Sequence, residues 1–328
     1  MRARATWVAA ATIAIVVTGL AACTDGPDPM AEDLGSTTTM VGMPAGHADH
    51  ASMTTLPPAG AVAPTRHLGP QGTVGQFVVE CHYSHSAPDD PIVFPGQPGM
   101  SHSHDFFGNE TTDASSTLES LLDGGTTCQN QQDTASYWAP TLLDGGEPVR
   151  PSLGTAYYRA APGVDPTEVV AFPPGFKMIA GDLTATEDDP RPVDIAGWTC
   201  GVTTSFVGAP PNCPQSAPLR AVITFPDCWD GERTDSVDHR SHVANSADGK
   251  CPDTHPVHVP QLTFAINYPV SGTDHDLTLA SGSVYGIHSD FFNAWNQDEL
   301  EDKVTLCLHR DAVCGLSSNR AEESLFSG

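Results

Sequence analysis

Proline and glycine interrupt the sequence nearly every ten to fifteen residues from Gln76 onward, as in Phe172-Pro173-Pro174-Gly175. Such density excludes long helices, because proline removes a backbone donor and both residues favour turns. Between the breaks lie short apolar runs: Gln76-Phe77-Val78-Val79-Glu80, Ala221-Val222-Ile223-Thr224-Phe225 and Leu262-Thr263-Phe264-Ala265-Ile266-Asn267-Tyr268. The last alternates apolar and polar residues with period two, the pattern of a half-buried strand. Helical patterns are confined to Ser115–Leu122 and to Ser289–Cys307, where Asp290, Glu299, Glu301 and Asp302 mark a polar face. These patterns predict a mainly β, antiparallel sandwich or jelly roll, forming one domain over residues 74–328, with long loops and few short helices.

The N-terminus reads differently. Arg2 and Arg4 precede an uncharged apolar run from Trp7 to Leu20. That run is short for a membrane span, which needs about 20 apolar residues, and suits the apolar region of a signal peptide over residues 1–22. It ends in Leu20-Ala21-Ala22-Cys23, which resembles the lipobox of bacterial lipoproteins. The resemblance implies cleavage before Cys23 and lipidation of that cysteine. The expected partner is then the membrane, and the expected location is the extracytoplasmic face of the cell membrane. Residues 23–73 lack apolar periodicity and read as a flexible tether. The tether carries Met40, Met43, His47, Asp49, His50 and Met53, whose thioether and imidazole groups suit copper.

Beyond Cys23 the chain has eight further cysteines: Cys81, Cys128, Cys200, Cys213, Cys228, Cys251, Cys307 and Cys314. An even set in an exported chain predicts disulfides. Connectivity does not follow from sequence, but the short closures Cys200–Cys213, Cys228–Cys251 and Cys307–Cys314 are the expected ones. With 40 acidic against 14 basic residues, the formal net charge is −26. A chain this acidic repels nucleic acid, so no nucleic-acid partner is expected.

Fourteen histidines equal the lysines and arginines combined, and many stand beside aspartate. His102-Ser103-His104 places two imidazoles on one face of an extended chain, because strand side chains alternate. Asp238-His239-Arg240-Ser241-His242 and Thr254-His255-Pro256-Val257-His258 each hold two histidines three apart, and Ile287-His288-Ser289-Asp290 adds another His/Asp pair. Imidazole with carboxylate is the donor set of a transition-metal site, zinc or copper. The candidate ligands are His102, His104, His239, His242, His255, His288, Asp238 and Asp290. The expected core is His102 and His104 with His239 or His242, and Asp238 or Asp290 as a further ligand or outer partner. The competing reading is a buried His/Asp hydrogen-bond network that orders loops. Gly-x-Ser-x-Gly and phosphate-binding loops are absent. Asp227 with Asp230, or Asp235 with Asp238, offers carboxylate pairs for a polysaccharide hydrolase or lyase. Tyr137-Trp138, Tyr157-Tyr158, Trp229 and Trp295 offer rings for stacking on cell-wall glycan in a non-catalytic binding module.

Several longer segments fall in a fixed order: Asp90-Pro91-Ile92-Val93 with Pro95-Gly96, Ser101-His102-Ser103-His104-Asp105-Phe106-Phe107-Gly108-Asn109, and Ser136-Tyr137-Trp138-Ala139-Pro140. They continue with Phe172-Pro173-Pro174-Gly175-Phe176-Lys177-Met178-Ile179-Ala180-Gly181-Asp182 and Phe225-Pro226-Asp227-Cys228-Trp229-Asp230-Gly231. Ser236-Val237-Asp238-His239-Arg240-Ser241-His242, Cys251-Pro252-Asp253-Thr254-His255-Pro256-Val257 and Gly286-Ile287-His288-Ser289-Asp290-Phe291-Phe292-Asn293-Ala294-Trp295 complete the set. Together they resemble a domain-of-unknown-function family of secreted fungal and actinobacterial proteins, over roughly residues 74–314. The resemblance implies one secreted domain whose His/Asp motifs share a site. It implies no activity.

Overall fold

The computed structural model describes residues 75–315, together with a short pairing of Leu68–Gly69 with Gly72–Thr73. The expected signal peptide, Cys23 and the Met/His part of the tether lie outside the described residues. All described residues belong to the compact unit Pro57–Gly328.

Two sheets carry the fold. The strands, in chain order, are β1 (Gln76–Cys81), β2 (Tyr83–Ala87), β3 (His104–Gly108), β4 (Ser136–Pro140), β5 (Leu153–Arg159), β6 (Lys177–Gly181), β7 (Ala196–Cys200), β8 (Leu219–Thr224), β9 (Gln261–Asn267), β10 (His288–Phe292) and β11 (Val313–Gly315). One sheet has the order β6-β10-β4-β3-β2, the other β7-β8-β9-β5-β1-β11. Every pairing in them is antiparallel except β11 with β1. The protein is therefore a mainly β, sandwich-like domain, as the alternation predicts.

Strand alternation builds the core. Leu262, Phe264 and Ile266 of β9, Ala156 and Tyr158 of β5, and Phe77 and Val79 of β1 form one buried cluster with Phe107, Tyr137, Met178 and Phe291 of the five-stranded sheet. Tyr137 stacks on Phe264 at 5.1 Å between ring centroids, and Phe107 meets the same ring edge-on at 5.3 Å. Gly154 makes room for this contact, since a Cβ there would lie 2.6 Å from Phe264 and 2.8 Å from Phe107.

Four disulfides close the loops: Cys81–Cys128, Cys200–Cys213, Cys228–Cys251 and Cys307–Cys314. The three short closures match expectation, and the remaining pair joins β1 to the loop before β4. Two α-helices are present among the described residues. The first, α1 (Leu118–Leu122), starts from a Thr117 cap whose side chain accepts from the Ser120 amide, with Ser120 capping in return. The second, α2 (Gln297–Lys303), starts from the Asn296 cap and runs into one wider turn at Val304–Leu308. The helix expected from Ser289 therefore begins eight residues later. His288–Phe292 is a central strand buried on both faces, and an unbroken buried run has no period to separate strand from helix.

Candidate metal centre

The five-stranded sheet turns one face toward the core and the other toward a covering layer. Alternation puts Phe107, Tyr137 and Phe291 on the core side. It puts His104 and Phe106 of β3, Trp138 of β4, Ile179 of β6, and His288, Asp290 and Phe292 of β10 on the outer side. Register aligns Phe106, Trp138, Asp290 and Ile179 across four strands. Ile92 from the loop at 88–103 and Leu121 of α1 pack over this face. The loop folds back on itself, with Ser101 N donating to the Pro88 carbonyl at 3.1 Å. That closure carries Asp89, Asp90 and His102 to the edge of the outer face.

Three imidazoles meet there. The rings of His102 and His104 are 4.3 Å apart between centroids, His102 and His288 5.3 Å, and His104 and His288 6.2 Å. One potential ligand atom from each lies within 4.8 Å of the others, and the same holds for a second triad of Asp90, His104 and Asp290. His104 belongs to both triads. His104, His288, Asp90 and Asp290 are all buried, and His102 is half-buried.

The hydrogen bonds fix which nitrogen faces the cluster. His104 Nδ1 donates to the Asp89 carbonyl at 2.9 Å, and His288 Nδ1 donates to the Gly286 carbonyl at 2.8 Å. A carbonyl accepts only, so each ring carries its proton on Nδ1 and keeps the Nε2 lone pair. This outer-partner arrangement is the usual one for a metal-binding histidine. The Nε2 atoms of His102 and His104 and Oδ2 of Asp290 are buried with no hydrogen-bond partner. Native structures seldom leave such atoms unpaired. Asp90 differs, since its Oδ1 accepts from the amides of Ile92 and Val93, both at 2.9 Å.

Burial dominates the electrostatics. It pushes the His104 imidazole well below its ordinary range, reinforced by His102 and His288, and pushes His288 down to about 4. It pushes the Asp290 carboxyl well up, with Asp90 adding to the rise, and raises Asp90 despite its two backbone hydrogen bonds. Neutral imidazoles beside carboxyls that resist ionisation describe a pocket lacking a positive charge. A divalent cation would supply it, satisfy the unpaired atoms and hold the carboxylates ionised.

Of the expected ligands, the structure gathers His102, His104, His288 and Asp290. It does not bring His239, His242, His255 or Asp238 to them, and none of these four belongs to a group of converging ligand atoms. His242 uses both nitrogens, with Ser236 Oγ at 2.9 Å and the Lys177 carbonyl at 2.7 Å. His255 is held by Thr254 Oγ1 at 2.9 Å and the Ser241 carbonyl at 3.2 Å. Asp238 accepts from Ser236 Oγ and the amides of Arg240 and Ser241, so it ties a turn. His239 contacts Asp235 through Nδ1 at 2.9 Å. The expected core partner, His239 or His242, is thus replaced by His288. Spacing three apart reflects the tight turn at 235–242 and not a shared ligand face. Asp90 is the ligand candidate that sequence reasoning missed, because Asp-Pro reads first as a turn.

The other candidates are occupied elsewhere. Asp227, Cys228, Cys251 and His258 lie together, but the two sulfurs are bonded to each other, which removes them as thiolate ligands. Asp230 is held by Arg233 at 2.7 Å, Asp227 accepts from the Ser246 amide, and Asp235 serves Lys177 and His239. Tyr137, Trp138, Tyr157, Tyr158 and Trp295 are core rings, and Trp229 donates its indole N–H to the Arg233 carbonyl. All five residues of the two triads fall within residues 90–295, the span matched by the model of a family described as a domain of unknown function (DUF1996). Comparisons with curated proteins and with solved structures found no match. The matched span covers well over half of the chain, and the chain belongs to that family.

Proposed function

We propose that this protein holds one divalent transition metal, zinc or copper, on the outer face of its five-stranded sheet, and does so outside the cell membrane on a lipid anchor at Cys23. One observation carries the metal reading: three imidazoles from two distant segments converge, two of them with Nδ1 pinned by a carbonyl, which leaves Nε2 as the nitrogen with a lone pair to give. A loop-ordering network would instead interleave the rings with acceptors, as happens at His242 and His255. Three histidines leave a tetrahedral metal one open position, the arrangement of catalytic zinc sites, with Asp90 and Asp290 adjoining through His104. The paired carboxylates of 227–238 tie loops, which favours the metal reading over hydrolysis by those groups.

The test is metal analysis of the full chain purified without a chelating tag. About one zinc or copper per chain is expected. Retention should persist at pH 5.5, where an ordinary imidazole near 6.5 would already be mostly protonated. Burial keeps His288 neutral down to about 4, so protons compete for that ligand only as pH approaches that value. The sign for the metal-free chain follows: its unfolded imidazole takes up a proton below about 6.5 and the folded one does not, so stability falls between 6.5 and 4. A metal-free preparation that takes up neither ion refutes the reading.

The anchor rests on Leu20-Ala21-Ala22-Cys23 and on the apolar run before it. More than one acyl chain gives durable membrane attachment. Cys23→Ala should shift the protein from the detergent phase to the aqueous phase or leave it unprocessed. Unchanged partitioning of the variant rules the anchor out.

A further inference from the structure

The turn at 235–242 supplies no ligand, yet it places cationic side chains beside the metal centre. Arg240 Nη1 lies 3.4 Å from the carbonyl of Ile179, the residue that pairs with Asp290 across β6 and β10. Lys177, at the start of β6, sets its Nζ 4.7 Å from the Phe292 ring centroid, and Phe292 shares the outer face with Asp290. Arg240 acts electrostatically on both Asp290 and His288, and Lys177 and His239 act on Asp90. The segment 230–242 also carries Asp230, Glu232, Asp235 and Asp238, so what distinguishes its cations is how each is partnered.

The partners of these cations differ. Lys177 is matched by Asp235 at 3.6 Å, Arg233 by Asp230 and Arg191 by Asp182, both at 2.7 Å. Among the described residues, no carboxylate lies within ion-pair distance of Arg240, and its guanidinium makes one long hydrogen bond, to the Ile179 carbonyl. The turn nonetheless holds it firmly, since the Asp238 carboxylate accepts from the Arg240 amide at 3.2 Å and the Ser241 amide at 2.9 Å. His239, just before it, takes a left-handed backbone conformation with φ 56°, uncommon for a residue other than glycine. An exposed arginine is thus presented beside the cluster with most of its planar fork of donors free beyond the one long contact to Ile179.

Charge counting gives the sign of what it faces. A divalent ion with ionised Asp90 and Asp290 and three neutral imidazoles is neutral. Lys177 and Asp235 cancel. Asp238 balances Arg240 in number, but its carboxylate is spent on Ser236 Oγ and the amides of Arg240 and Ser241, so the Arg240 guanidinium stands at the mouth of the site without an ion-pair partner. We propose that the metal centre takes a small oxyanion, a carboxylate or a phosphate, as its exogenous ligand, with one oxygen on the metal and another on the Arg240 guanidinium. This rests on the metal reading above. The fork geometry of arginine fits either anion. The acidic surface elsewhere repels extended polyanions, so the anion is small or terminates a larger neutral molecule.

The experiment loads the full chain with cobalt(II) and follows its visible absorption during titration with inorganic phosphate and, separately, acetate. A saturable change with at least one anion is expected. Arg240→Gln should weaken that binding at least about tenfold at unchanged cobalt stoichiometry, because a hydrogen bond between charged groups is lost. Arg233→Gln, which disturbs an arginine already paired with Asp230, should leave it unchanged. The stronger of the two anions identifies the ligand as tetrahedral or planar. A cobalt-loaded chain that ignores both anions overturns the inference, as does equal affinity in Arg240→Gln. Loss of cobalt from Arg240→Gln also overturns it, by assigning the arginine to holding the centre. A chain that binds no cobalt overturns the metal reading, and this inference with it.

Discussion

Replacing His104 with alanine is expected to weaken metal binding by more than the 10- to 100-fold typical for loss of an outer-shell partner. His104 is the one side chain common to both triads, so its removal leaves two imidazoles on one side and two carboxylates on the other without a shared donor. It is fully buried on a central strand, and its Nδ1 proton is held by the Asp89 carbonyl. Deleting the ring therefore also frees the covering loop at 88–103. The matched control is His242→Ala. That ring is equally buried, but its two nitrogens are spent on Ser236 and the Lys177 carbonyl. His242→Ala should destabilise by about 1–3 kcal/mol through the partners it leaves unpaired, with metal stoichiometry intact. Metal analysis and circular dichroism on both variants separate the two effects. If His104→Ala folds and still binds metal at wild-type affinity, or if His242→Ala folds and loses the metal, the assignment of ligands is wrong.

The second large effect concerns the disulfide between Cys81 and Cys128. The pair spans 47 residues and ties β1, in the six-stranded sheet, to the segment that leads into β4 of the five-stranded sheet. Chain entropy alone makes such a closure worth about 4 kcal/mol, against about 2 kcal/mol for a closure as short as Cys307–Cys314, which spans 7 residues. Both sulfurs of the long pair are buried in the main core, so replacement by alanine adds a packing loss. Cys81→Ala with Cys128→Ala should therefore lower the denaturant midpoint far more than Cys307→Ala with Cys314→Ala. Equal midpoint shifts for the two double variants would show that loop length is not what governs these bridges.

The wild-type sequence made the short-range facts readable. Alternation in Leu262–Tyr268 gave a strand with its inward set, and the structure buries Leu262, Phe264 and Ile266 as that pattern requires. His102 and His104 were legible as a pair because two residues along an extended chain return a side chain to the same face. The short disulfide closures were legible because nearby cysteines in a loop-rich chain meet first. The helix expected from Ser289 failed for the complementary reason: on a strand buried on both faces, Asp290 no longer signals a solvent side.

What the sequence alone determined is the class of fold, the disulfide-bearing character and the chemistry of the donors. Which donors share a point was decided by strand order. β10 and β3 are separated by β4 in the sheet and by nearly two hundred residues in the chain, and no local spacing encodes that neighbourhood. The same holds for Asp90 and Arg240. One arrives because a loop closes through Ser101 and Pro88, the other because a turn seals against the edge of β6 at Ile179. His239, His242, His255 and Asp238 looked equally eligible as residues, and they were spent instead on hydrogen bonds that hold that turn. Local patterns fix which face a side chain takes, and only the pairing of distant strands fixes what it meets there.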